Sequence, residues 1–92
     1  MDNDFERELI KYVTRWYKDA GMTHSDFARK FFYDLSEEIA VRQWRRVRDP
    51  KKSGNIRKLT LTESRRFSDI MGMKFSNLIW QIEQIIENKE VG

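Results

Sequence analysis

Arg42 and Arg46 stand one helical turn apart in the sequence, with Gln43 between them. A guanidinium is planar, carries a fork of N–H donors and does not lose its charge, so two at this spacing can address paired acceptors on one surface. Guanine presents such acceptors at O6 and N7, and adenine presents a donor and an acceptor that suit a glutamine amide. Arg45, Arg48, Lys51, Lys52, Arg57 and Lys58 follow closely, and cations at that density suit phosphate oxygens. The chemistry on offer is recognition by charge and hydrogen bonding. Covalent chemistry has no comparable set of residues. His24 is the single histidine, cysteine is absent and no glycine-rich phosphate loop occurs. The sequence therefore predicts a protein that is not an enzyme and has no cofactor, no metal and no small-molecule ligand. Asp34, Glu37 and Glu38 have ordinary roles in a turn and at a helix start, where the dipole favours acids. His24 reads as a surface residue in a helix cap.

The charge is unevenly spread along the 92 residues. Residues 42 to 58 hold eight cations against the single acid Asp49, a net of +7, whereas the other 75 carry ten cations and fourteen acids, a net of −4. Such polarity turns one face towards a polyanion and the others away from it. The length allows one domain with one core. Without cysteine there is neither a disulfide framework nor a thiolate zinc site. The apolar runs are short and the N-terminus, Met1-Asp2-Asn3-Asp4, is acidic, which predicts no membrane span, no secretory signal and a cytoplasmic location.

Apolar residues recur at three- and four-residue steps throughout, which predicts an all-α chain, a five-helix bundle in one domain over 1–92. The helices are expected over about 4–20, 23–32, 36–48, 60–72 and 76–88, with a basic loop over 49–59. In the first, Phe5, Leu9, Tyr12, Val13, Trp16 and Ala20 share a face, and Gly21 closes the helix. Thr23 and Asp26 can form a capping box for the second, which carries Phe27, Ala28, Phe31 and Phe32. Tyr33-Asp34-Leu35 make a turn before Ser36 caps the third helix, whose core stripe is Ala40, Trp44 and Val47. Asp49-Pro50 stops it. Thr60 and Glu63 make the capping box of the fourth helix, which turns Leu61, Phe67, Ile70 and Met71 inward and ends at Gly72. The fifth carries Leu78, Ile79, Ile82, Ile85 and Ile86, with Trp80 off the centre of that stripe. Two coverings are open for it. Either the first helix packs over it completely, or Trp80 and Ile86 enter a two-fold dimer contact.

Two short helices joined by a tight turn, the second of them basic, are the arrangement of a helix-turn-helix. Trp44 and Val47 would anchor the second helix while Arg42, Gln43 and Arg46 face bases. Arg45, Arg48, Lys51, Lys52, Arg57 and Lys58 would meet phosphates. Ala28, the run Val41-Arg42-Gln43-Trp44-Arg45-Arg46-Val47-Arg48 and the tail from Leu59 to Ile79 resemble the phage repressor and Cro type of helix-turn-helix protein, the XRE-like group. That resemblance implies a lambda-repressor-like DNA-binding domain that regulates transcription, usually as a dimer on a two-fold operator. This chain departs from the pattern in having about three more residues between Ala28 and Val41, in having Phe32 and Tyr33 where the turn glycine stands, and in its longer basic loop. The expected partner is double-stranded DNA. The alternative is a helical protein-interaction module, an antirepressor or adaptor, whose basic patch docks an acidic protein.

Overall fold

Local capping chemistry sets most of the helix boundaries. In the computed structural model, which describes residues 3–49 and 59–91 and the side chains of 5–49 and 59–89, five α-helices follow one another. They are α1 (Asn3–Asp19), α2 (His24–Phe31), α3 (Glu37–Arg48), α4 (Leu61–Met71) and α5 (Phe75–Val91). Thr23 Oγ1 accepts from the Asp26 N–H at 3.1 Å while Asp26 Oδ2 accepts from the Thr23 N–H at 3.1 Å, so the capping box of α2 is closed from both sides. Thr60 and Glu63 do the same for α4. Ser36 Oγ accepts from the Ile39 N–H at the head of α3. Gly72 ends α4 in the left-handed region at φ 70°, where any other residue would be strained. Of the expected basic loop, Pro50 to Lys58 lie outside the described residues.

The helices pack as two partnerships that share one core. α1 runs along α5, α2 pairs with α3, and α4 touches both α2 and α5. The common centre is aromatic: Trp44 of α3 meets Phe27 at 4.9 Å, Phe31 at 5.6 Å, Phe67 at 5.9 Å and Tyr17 at 6.3 Å between ring centroids. Phe31 and Phe67 stack at 4.6 Å, which joins α2 to α4. Leu9, Val13, Leu78 and Ile82 complete the buried set between α1 and α5.

Ala40, Trp44 and Val47 are buried on α3, and Phe27, Ala28, Phe31 and Phe32 are buried at α2, as their spacing predicts. Two expectations fail. Ala20 is exposed because α1 ends at Asp19 and Ala20 stands in the turn that closes it, and the deeply buried residue at that end of α1 is Tyr17, which meets Trp44 of α3. Leu61 is 71% exposed although its spacing placed it inward; it is the first residue of α4, ahead of the turns that reach the core. α5 also runs past the expected 88, to Val91. Its last turns are held to the start of α1 by the pair between Lys89 Nζ and the Glu8 carboxylate, which Lys11 also approaches at 3.6 Å. The Lys89 hydrogen bond outweighs burial and holds the Glu8 carboxyl below its ordinary value.

Trp44→Ala should remove about 3–5 kcal/mol, because the cavity opens among four other rings, whereas Leu61→Ser should stay within about 0.5 kcal/mol of the parent. Urea unfolding followed by circular dichroism reads both. Equal losses would contradict the placement of Trp44 at the centre.

Candidate nucleic-acid interface

α3 owes its orientation to its apolar residues. With Ala40, Trp44 and Val47 turned into the body, helical geometry carries residues 42, 45 and 46 to the opposite side, and Arg42, Arg45 and Arg46 are all exposed. Arg45, which helical geometry sets between Arg42 and Arg48, is exposed like Arg42 and Arg46. Arg48 lies half-buried, donating to Asp49 Oδ2 from Nε at 3.3 Å and from Nη2 at 3.1 Å. Burial opposes its charge, but the neighbouring Tyr17 hydroxyl and Asp49 carboxylate outweigh burial and hold the guanidinium above its ordinary value. Arg48 thus closes on Asp49, the C-cap of its own helix. Gln43 is half-buried on the flank of the helix.

Arg42 Nη2 lies 3.5 Å from Glu38 Oε1, one turn earlier. Glu37 and Glu38 occupy the first turn of α3, where the helix dipole favours them, and Ile39 beside them is exposed. The helix is therefore acidic at its start and basic along its second half. Lys51, Lys52, Arg57 and Lys58 lie outside the described residues. Trp80 is 56% exposed on α5, while Ile86 is partly buried against the core, so the two do not form one outward patch. Among the described residues no group of three or more acidic or histidine side chains is placed to hold a metal ion, and no helix is long and apolar enough to cross a membrane.

Two side chains that spacing undervalued hold α2, His24 at its start against α3 and Arg66 at its end. His24 is not on the surface as expected: its Nε2 approaches the Val41 carbonyl oxygen at 3.4 Å, and its Nδ1 is buried with no hydrogen-bond partner. The signal was present, since His24 lies in register with Phe27, Ala28 and Phe31 on the apolar face of α2. Arg66 of α4 donates to the Phe31 carbonyl oxygen at 3.1 Å, capping the C-terminus of α2, and lies 5.1 Å from the centroid of the Tyr33 ring. Its carbonyl partner is 35 residues away in sequence, beyond the reach of local spacing. Helix, turn and helix are held from both ends.

No family model matches the chain, and neither a curated protein nor a solved structure matches it. What the fold itself defines, among the described residues, is an all-α arrangement of five helices with a cationic face on the third.

Burial pushes the His24 imidazole below its ordinary value of 6.5; the Val41 carbonyl opposes that shift and the charges of Arg48 and Arg45 add to it. The unfolded chain takes up the proton first as pH falls. The His24 contribution is thus complete above about pH 6.5 and is lost as pH drops through that value towards the depressed one. His24→Gln should flatten this part of the stability profile, measured as urea midpoints between about pH 7.5 and about pH 5. Parallel profiles for parent and variant would place the proton uptake elsewhere.

Proposed function

We propose that the protein is a sequence-specific regulator of transcription that binds double-stranded DNA and reads the major groove with α3. The observation that carries this reading is a helix locked to the body by buried Trp44 on one side and presenting Arg42, Arg45 and Arg46 on the other. An α-helix with its side chains is about 10–12 Å across, and the major groove is about 12 Å wide. Arg42 and Arg46, one turn apart, address guanine edges; Arg45 and the cations of residues 51–58 address phosphates and set the register. The acidic first turn points to entry by the middle and the second half of the helix. Arg42 leaves Glu38 at little cost, because their side chains are 60% and 84% exposed and a pair of that kind contributes no more than about 1 kcal/mol. Assembly as a two-fold dimer through the exposed Trp80 face belongs to the same reading, and a two-fold site would require the two α3 helices about 34 Å apart, one turn of DNA.

Fluorescence anisotropy against a randomised duplex pool, with selection and sequencing of the bound fraction, tests the proposal. An enriched site and a log–log salt slope of about −5 to −6 are expected. Arg46→Ala should cost about 1–3 kcal/mol and relax preference at one position, whereas Lys52→Ala should weaken all sequences alike. A flat salt response with no enriched sequence would sink the proposal and turn attention to an acidic protein as the ligand of the arginine face.

A further inference from the structure

Among the described residues five large apolar side chains are exposed, and three of them, Tyr33, Leu35 and Ile39, fall within seven consecutive positions. Apolar side chains exposed singly are ordinary on a protein surface, whereas a contiguous group rimmed by polar residues marks a binding surface. This group spans the connection after α2 and the first turn of α3, where every residue from Tyr33 to Ile39 is exposed. Local structure holds it in place. The Leu35 N–H donates to the Phe32 carbonyl oxygen at 3.1 Å, Ser36 caps α3, and the bordering Phe32 and Ala40 are buried. The fold thus fixes the three side chains outward and leaves their apolar area in water.

The rim decides which chemistry fits. Asp34, Glu37 and Glu38 alternate with the apolar side chains, and no Lys or Arg occurs from Phe31 to Val41. Asp34 and Glu37 form no ion pair among the described residues, and Glu38 meets Arg42 only at 3.5 Å with both side chains largely in solvent. Three carboxylates without a cation among them repel phosphate and anionic lipid, so neither DNA nor a membrane suits this surface. Lysine and arginine suit it twice over, because their stems cover apolar area while their heads reach carboxylates. Tyr33 carries one such contact already. Arg66 lies 5.1 Å from its ring centroid, yet Tyr33 remains 72% exposed, which leaves room for a second cation.

We infer that Tyr33, Leu35 and Ile39, with the carboxylates among them, form a docking surface for a short cationic amphipathic segment of a protein partner. The apolar side chains of that segment cover Leu35 and Ile39, and its cations meet the three carboxylates and the open side of Tyr33. Arg42 and Arg46 bound the surface further along α3 and repel those cations, so the segment lies across the connection and not along the helix. The surface is opposite in sign to the arginine face, and its occupation does not depend on DNA binding.

The test titrates a short synthetic amphipathic helix, leucine along one face and arginine and lysine at its margins, into the isotope-labelled protein without DNA. Saturable amide shifts centred on residues 33–39 are expected, and the same peptide with glutamate in place of its cations should cause none. Ile39→Ser should weaken binding about tenfold, and the double variant Glu37→Gln and Glu38→Gln should weaken it about fivefold and flatten its salt dependence. Trp80→Ser, which removes an exposed apolar side chain elsewhere, should leave the affinity unchanged. No binding, shifts centred outside 33–39, equal binding of the acidic peptide, or an equal loss in Trp80→Ser each overturns the inference. Shifts at 33–39 that grow with protein concentration in the absence of peptide overturn it too, since they would give the surface to a second copy of the chain. None of these outcomes bears on whether α3 binds DNA, which the duplex selection reads separately.

Discussion

Trp44 is the constraint on which the arrangement turns. α3 has three buried residues, Ala40, Trp44 and Val47, and most of the others are charged, so its hold on the body comes largely from one indole. That indole is met by Tyr17 from α1, Phe27 and Phe31 from α2 and Phe67 from α4, which makes a single side chain the meeting point of four helices. Ring pairs at these distances add to the area they bury, each contributing about 0.5–1.5 kcal/mol beyond it. A cost remains in the centre: Trp44 Nε1 is buried without a hydrogen-bond partner. The fold tolerates an unmet N–H because the ring that carries it fills a volume no smaller residue would fill.

The same packing decides which charges face outward. A helix fixed by residues 40, 44 and 47 must show 42, 45 and 46 to solvent, whatever their chemistry. Arg48 lies on the edge nearest α1, and there a guanidinium finds the Tyr17 hydroxyl and the Asp49 carboxylate close by. The cation that looks equivalent to Arg45 in the sequence is thus spent on structure. Acid placement follows the opposite logic. Glu37 and Glu38 satisfy the start of α3 locally, and in doing so they make that end of the helix repel any polyanion that the other end attracts.

Much of the fold was legible because its determinants are local. Thr23 with Asp26, Thr60 with Glu63 and Gly72 each fix a boundary through atoms within a few residues, and the sequence displays those residues directly. The core stripe of α3 was legible for a related reason, since its apolar residues are few and stand at helical spacing. Spacing misled at helix ends. α1 stops at Asp19, so Ala20 falls in the turn beyond it and the last deeply buried position is Tyr17, covered by Trp44 of α3. Leu61 failed for want of a neighbour, being at the first position of α4.

At the candidate site, Arg42 and Arg46 were legible as an outward pair from the position of Trp44 alone. The roles of His24 and Arg66 were not, since each acts on a carbonyl oxygen far away in sequence: Val41 for the one, Phe31 for the other. Arg66 closes on the junction of α2 and α3, and His24 ties the opposite end of α2 to the second turn of α3. The angle between two successive helices is limited by what holds them, and here the connection carries no glycine to set the geometry from within. A five-residue connection from Phe32 to Ser36 needs external ties, and the ring of His24 and the guanidinium of Arg66 supply them. The length of this connection and the distant contacts on the helices it joins belong together: the longer the connection, the more of its orientation must come from tertiary contacts.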